Sequence, residues 1–582
     1  MTSQLSSYRP PVRGITHMVS AGHYLAASAG YRILEQGGNA VDAGVASGIA
    51  INVTLPNATN FGGVAPIMVY MSDTDQVNTI SGLGRWPKAT SRDFFIDRLG
   101  GDIPKGIHRT IVPSAPDAWL TAIEKFGTMS LREVLQPALE LARDGFPISN
   151  TTSGVLKKLS NSVDKEAHEW RSTFDLFSSN GKILDEGDVL VQPDLARTFE
   201  RLIEVEEQNL TLGRQIAIRA ARDYFYKGEI AEELVSYSDS LGGRLSMTDM
   251  ADFQVEVETP TSAKYKEFDI LTCGPWSQGP VTAQVLQMLE HDDIGSMYPN
   301  SPDYIHLLSQ ALNLSFSDRH HYFGDPDFVE VPIKGLLSPE YTTMQRSRIA
   351  SELAFSEMPG PGDPWPYDDK KKTNSAVQKP SFNPERLEQD TSYTCVVDSW
   401  GNSFSATPSD AVFGSPIVPS LGIMISSRGT QSWLEEGHPS SVAPWKRPRL
   451  TPNPAMAFKN DKLFMPFGTP GGDAQCPAMI QTFLNIVEFG MNPQEAIEAP
   501  RFVPWNYPNS FWPHAYYPGL IHLEGRIARE VGRELSRRGH KVKYLDDWSA
   551  SMGAMSAIVV NQENGSLSAG ADPRRDAYAI GR

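Results

Sequence analysis

The sequence predicts a mixed α/β chain in which sheets are covered by helices, and three stretches carry that prediction. From residue 23 to 50, small and apolar residues recur at helical spacing on both sides of Gly37-Gly38-Asn39, the pattern of two closely packed helices joined at a glycine C-cap. Asn60-Phe61-Gly62-Gly63 then opens two strand-like runs, at 66–71 and 77–81. Further on, residues 391–398 are rich in β-branched side chains and are followed by the turn Ser399-Trp400-Gly401-Asn402 and a second run at 403–407, which together read as a β-hairpin. The remainder alternates strands, such as 463–467 and 557–560, with helices, such as 478–490 and 527–538.

Between these regions, residues 131 to about 350 show mostly amphipathic helical pattern broken by Gly and Pro, including 195–207 and 304–316. The clearest compositional break runs from about 358 to 390, where Pro, Asp, Lys and Ser dominate and no hydrophobic period survives. It reads as a mobile loop that stops where the hairpin starts. No internal repeat is visible.

The chain has 582 residues, 40% hydrophobic and 21% charged, which is ordinary globular composition with material for a large core. Its formal net charge of -17 repels a phosphate backbone, and no basic block interleaved with aromatics overrides that charge, so nucleic acid is not an expected partner. The one lysine run, Lys370-Lys371-Lys372, follows Asp368-Asp369 in a proline-rich stretch and reads as a solvated loop. Cys273, Cys395 and Cys476 include no C-x-x-C pair, which supports neither a disulfide framework nor a cysteine zinc site. The first residues lack an apolar run, and the most apolar stretch, 43–55, is too short to span a bilayer. A reducing, cytoplasmic setting without membrane contact is expected, and Asn52-Val53-Thr54 is read as a chance glycosylation triplet.

The chemistry centres on the loop–hairpin junction. A threonine that becomes chain-terminal carries both halves of a catalyst, because its hydroxyl is a nucleophile and its α-amino group, which titrates at about 7.7–8.0, is a base. In a precursor, the Thr391 hydroxyl could attack the carbonyl of Asp390, giving an ester that water then hydrolyses to fragments 1–390 and 391–582. A threonine at the start of a strand is common, so the motif needs context.

That context is a set of motifs in one order. Before the junction they are Gly37-Gly38-Asn39-Ala40-Val41-Asp42-Ala43, Phe61-Gly62-Gly63, Val112-Pro113-Ser114-Ala115-Pro116, Phe126-Gly127-Thr128, Ala142-Arg143-Asp144-Gly145-Phe146, Ser317-Asp318-Arg319 and Gly324-Asp325-Pro326-Asp327-Phe328-Val329. After it come Val396-Val397-Asp398, Gly401-Asn402, Phe413-Gly414, Lys446-Arg447-Pro448, Thr469-Pro470-Gly471-Gly472 and Ala499-Pro500-Arg501-Phe502. Over nearly its whole length the chain thereby resembles the gamma-glutamyltransferase family of N-terminal-nucleophile hydrolases.

The resemblance implies a four-layer αββα sandwich with extra helices from the large fragment. It also implies one precursor cut into a large segment, 1–390, and a small segment, 391–582, that stay together as an intertwined heterodimer. Further dimerisation is left open. No cofactor or metal is implied. Thr391 falls on the family's nucleophile, and Gly471 and Gly472 match the pair whose backbone N–H groups form the oxyanion hole. Arg85 looks like the arginine that holds the substrate carboxylate. Thr407 and Ser409 compete for the hydroxyl that supports the nucleophile, because a one-residue gap lies before Phe413-Gly414, and Thr407 is preferred.

Two positions depart from the family. An acidic residue that receives the glutamyl α-amino group is missing from Ser426-Ser427-Arg428-Gly429-Thr430-Gln431, and the Ser-Ser pair on the α-carboxylate is replaced by Leu450-Thr451. A buried ammonium without a counter-charge is costly, whereas Arg428 favours an anion. Arg428, Gln431 and Thr451 are therefore expected to line a site for a small amide whose acyl part bears a carboxylate but no free amine. Family branches of that kind include cephalosporin acylase-like and oxamate amidohydrolase-like members. A genuine gamma-glutamyltransferase, or glutathione hydrolase, is the alternative, and an uncleaved binding or scaffold protein is the alternative of another class. No G-x-S-x-G elbow, zinc-binding histidine pair or phosphate loop supports a rival chemistry.

Overall fold

The computed structural model describes residues 7–164, 167–372, 377–385 and 390–582. Two seven-stranded antiparallel sheets form its centre. One runs in the order Val12–Gly14, Leu567–Ala571, Ser556–Val560, Lys462–Gly468, Ala455–Lys459, Phe268–Thr272, Thr261–Tyr265. The other runs Tyr578–Gly581, Met18–Ala21, Thr394–Val397, Ser403–Ala406, Ile67–Met71, Gln76–Ile80, Val257–Glu258. Each sheet draws strands from both sides of the Asp390–Thr391 junction. Thr394–Val397, just past it, pairs on one edge with Met18–Ala21 and on the other with Ser403–Ala406, the expected hairpin partner.

Strand periodicity sorts the side chains into layers, since successive residues face opposite sides of a sheet. In the second sheet Val19, Ala21, Val396, Phe404 and Ala406 point to the helices Tyr24–Glu35 and Ala40–Thr54. Met18, Cys395 and Val397 point the other way and share a core with Met456, Phe458, Ile558 and Ala569 of the first sheet. The far face of that sheet, with Ile270, Ala457, Met465, Phe467 and Ala557, is covered by the helices Gly279–Met288, Pro302–Tyr322 and Gln475–Val487. The result is helix, sheet, sheet, helix: the αββα sandwich that the resemblance implied.

Local signals explain the elements. Asn39 caps the helix Ala40–Thr54, its side chain accepting from Val41 and Asp42 N–H while the Asp42 carboxylate accepts from Asn39 N–H. Gly37 before it takes φ 93°, the left-handed region open to glycine. That helix is buried all round, and Gly44 lets it approach the sheet where a Cβ would enter the Phe404 ring. The predicted runs at 195–207 and 304–316 are the cores of longer helices, Pro193–Asn209 and Pro302–Tyr322. The stretch at 358–390 is irregular apart from the short turn Trp365–Tyr367, and residues 373–376 and 386–389 of it lie outside the described residues. Among the described residues no helix is long and apolar enough to cross a membrane.

Candidate active site

Thr391 sits three residues before the interior strand Thr394–Val397 and is 1% exposed. Its φ is 93°, a value that a β-branched residue adopts only under strain. Its N–H donates to Ala58 O at 3.0 Å and the following Ser392 N–H donates to Pro408 O at 3.0 Å, so the surrounding backbone holds this conformation. The Thr391 Oγ1 lies 2.5 Å from the Ser409 Oγ and 3.2 Å from the Asp390 Oδ1. Thr407, by contrast, places its Oγ1 in a buried position with no hydrogen-bond partner among the described residues. The preference for Thr407 is thereby corrected: past the strand Ser403–Ala406, Ser409 is the residue whose hydroxyl reaches Thr391.

The glycine pair arrives from the first sheet. Gly471 and Gly472 follow the strand Lys462–Gly468 and lead into the helix Gln475–Val487, with φ of 125° and 57°. Gly471 N–H donates to the carbonyl oxygen of Asp390 at 3.3 Å, so a main-chain donor at the start of a helical segment addresses the carbonyl of the junction peptide. Gln278 and Asp473, which no sequence motif marked, hold this turn in place together with Arg319. Gln278 Nε2 donates to Gly472 O and Thr451 O, each at 2.9 Å. Arg319 donates to Gln278 Oε1 at 3.0 Å and pairs with Asp473, both fully buried. The Ser317-Asp318-Arg319 motif was visible, but its partners lie far along the chain.

Arg428, 1% exposed, donates from Nη2 to Asp390 Oδ1 at 2.6 Å and to the Ser409 hydroxyl, with its guanidinium above the Phe511 ring. Asp390 Oδ2 accepts from Ala411 N–H at 3.1 Å. Beneath Arg428, the buried Asp410 accepts from the hydroxyls of Ser426 and Ser427 at 2.5 Å each, fixing the turn that carries the arginine. Burial raises the Asp410 carboxyl above the usual range, against the lowering effect of Arg428 and the two serines. No local motif marks Asp410, since its partners lie 16 and 17 residues on.

A cavity of about 470 Å³ opens beside Asp390 and Arg428. Its described lining includes Lys105, Arg109, Lys158, Arg428 and Arg575, with Asp390 the one carboxylate among them, an excess of positive charge in an acidic protein. A second space of about 30 Å³, lined by Ala58, Thr391, Pro470, Arg575 and Asp576, adjoins the first through Ala58 and Arg575 and is large enough for one water.

Three expected substrate contacts are not brought there. Arg85 is buried in an ion cluster, donating to Glu256 at 2.9 Å, Asp327 at 2.5 Å, Asp325 at 3.3 Å and Trp445 O at 3.1 Å, and Arg447 shares the same carboxylates. Its donor fork is taken by protein groups, which corrects its assignment to a substrate carboxylate. Gln431 and Thr451 bond to each other, Nε2 to Oγ1 at 2.9 Å and Thr451 N–H to Oε1 at 3.2 Å, and neither is among the lining residues. Arg428 is the expected anion contact that does reach the junction.

A sequence profile of the family described as Gamma-glutamyltranspeptidase matches residues 26–582. The chain is similar to the glutathione hydrolase proenzyme of Bacillus subtilis (strain 168), 32% identical over 97% of this chain and 91% of that one. It is similar to the acylase ACY 1 proenzyme of Pseudomonas sp. (strain SE83), 30% identical over 98% and 94%. Its fold superposes on the crystal structure of cephalosporin acylase from Bacillus halodurans with a TM-score of 0.85 at 27% identity, covering 100% of this chain and 99% of that one. The αββα fold and these proenzyme and acylase relatives mark an amidohydrolase. The chain belongs to the gamma-glutamyltranspeptidase family.

Proposed function

We propose that this protein is a self-processing amidohydrolase whose nucleophile is Thr391 and whose acyl specificity has moved from gamma-glutamyl to acyl groups bearing a terminal carboxylate. The observation that carries the reading is the meeting of three groups at one peptide: the Thr391 hydroxyl beside Ser409, the Gly471 N–H on the Asp390 carbonyl, and Arg428 on the adjacent carboxylate. In the precursor, Thr391 Oγ1 attacks the Asp390 carbonyl carbon. The C–N bond breaks as the nitrogen takes up the hydroxyl proton, and an ester remains. Water then cleaves the ester, releasing Asp390 as a new carboxyl terminus and restoring the hydroxyl. The strained φ of Thr391 favours the step, because cutting the peptide frees that torsion.

In turnover the freed α-amino group takes the hydroxyl proton and delivers it to the leaving amine, while Gly471 N–H, with Gly472 beside it, stabilises the oxyanion. Ser409 orients the hydroxyl. The segments 1–390 and 391–582 stay joined as a heterodimer through shared sheets. The cationic lining supports a carboxylate-bearing substrate, and the acylases among the relatives support acyl groups other than glutamyl.

Denaturing electrophoresis tests processing: wild type should give two bands near the sizes of 1–390 and 391–582, and Thr391→Ala one. A single wild-type band without amidase activity would favour a scaffold. A glutaryl or similar des-amino anilide should be turned over faster than gamma-glutamyl-p-nitroanilide. The reverse order would favour a glutathione hydrolase.

A further inference from the structure

The uncut junction holds an acyl group in place. Asp390 is fastened at both ends of a short span: its main-chain carbonyl oxygen accepts from Gly471 N–H at 3.3 Å, and its side-chain carboxylate accepts from Arg428 Nη2 at 2.6 Å, Ala411 N–H at 3.1 Å and the Thr391 and Ser409 hydroxyls at 3.2 and 3.3 Å. Arg428 and Ser409 are buried, and the turn beneath them is locked by Asp410, so the anion seat is built rather than improvised. Between the reacting carbonyl and that carboxylate lie two carbons, Cα and Cβ. An aspartyl residue attacked at its main-chain carbonyl is, in acyl terms, a 2-substituted succinyl group.

We propose that Asp390 is a built-in substrate surrogate, and that the mature site selects amides whose acyl group carries a carboxylate two carbons from the scissile carbonyl: succinyl amides and their 2-substituted relatives. This rests on the function proposed above and adds the length of the acyl chain. The ester formed during processing is then the same kind of species as the acyl-enzyme of turnover, with Thr391 Oγ1 bonded to the carbonyl carbon and Arg428 on the distal carboxylate. Hydrolysis of either consumes one water and returns the hydroxyl, releasing a dicarboxylate. Once Asp390 withdraws, the seat on Arg428 opens to the acyl carboxylate of an incoming amide. One methylene more or less displaces either the carbonyl from Gly471 or the carboxylate from Arg428.

The test is a series of p-nitroanilides of malonate, succinate, glutarate and adipate on processed wild-type enzyme, read as kcat/KM. The succinyl compound should lead its neighbours by about tenfold or more, the discrimination a one-carbon mismatch supports. Glutaryl or adipyl turnover equal to or above succinyl overturns the length assignment while leaving the carboxyacyl reading intact. Turnover of gamma-glutamyl-p-nitroanilide with none of the four overturns both. A second measurement needs no added substrate: Asp390→Glu, which keeps the charge but adds a methylene, should slow self-cleavage about tenfold or more. Cleavage of Asp390→Glu at the wild-type rate also overturns the proposal.

Discussion

The backbone N–H of Gly471 and the carbonyl oxygen of Asp390 face each other across 3.3 Å, joining a turn of the first sheet to the peptide that precedes an interior strand of the second. The contact depends on a backbone conformation, φ 125°, that side-chain-bearing residues rarely adopt. A Cβ at Gly471 would also stand 3.3 Å from Gly553 Cα. Gly471→Ala should therefore slow precursor conversion by about 10²–10³-fold, the usual effect of losing an oxyanion donor, with the half-time read from gel bands.

Ser409 and Thr407 separate cleanly by mutation. Ser409→Ala removes the hydroxyl 2.5 Å from Thr391 and should lower kcat by about 10²-fold. Thr407→Val removes a buried hydroxyl with no partner among the described residues, so it should leave kcat within about threefold and stability unchanged or higher. Parallel kinetics and melting curves check both.

Arg85 should matter for folding rather than for substrate. Replacing it with Met loosens Glu256, Asp325 and Asp327, of which Arg447 still holds Asp325, a loss of about 1–3 kcal/mol given that two of these carboxylates are partly exposed. The KM for a carboxyacyl anilide should stay unchanged, whereas Arg428→Gln should raise it.

Buried histidines make stability fall in acid. The His306 Nδ1 and His540 Nε2 lie 2.9 Å apart, and burial lowers the pKa of His306 and brings that of His540 down to about 3. The unfolded chain takes up these protons at about 6.5 and the folded chain does not, so stability rises with pH in this window. For His540 it is complete above about pH 6.5 and is lost as pH falls toward 3, by up to about 1.4 kcal/mol per pH unit, and His306 acts in the same direction. Thermal midpoints between pH 7.5 and 5 should show the decline, and His540→Asn should flatten it.

What could be read from the sequence was what local chemistry encodes. The glycine cap at Gly37 between the first two helices, the hairpin turn at Ser399-Trp400-Gly401-Asn402 and the Gly471-Gly472 turn are made by neighbours in the chain, and each stands where its residues placed it. Arg85 misled because its partners Glu256, Asp325 and Asp327 lie 171 to 242 residues away, and a lone arginine gives no hint that its donors are already occupied. Gln431 and Thr451 likewise find each other across 20 residues. The choice between Thr407 and Ser409 turned on a one-residue gap, which only the path of the chain beyond Ala406 resolves. The role of Gln278 was invisible for a related reason: it acts by grasping a carbonyl, and main-chain atoms leave no mark on composition.

The strand order has a consequence for the molecule's later life. With Met18–Ala21 and Ile67–Met71 clasping the hairpin that follows residue 391, and Phe268–Thr272 laid against Ala455–Lys459, a break at the junction severs the polymer while every ladder around it persists. Neither piece owns a complete sheet. The protein could thus be nicked once, early, and irreversibly: after denaturation, two separate chains would have to re-weave a pattern that a single continuous one laid down.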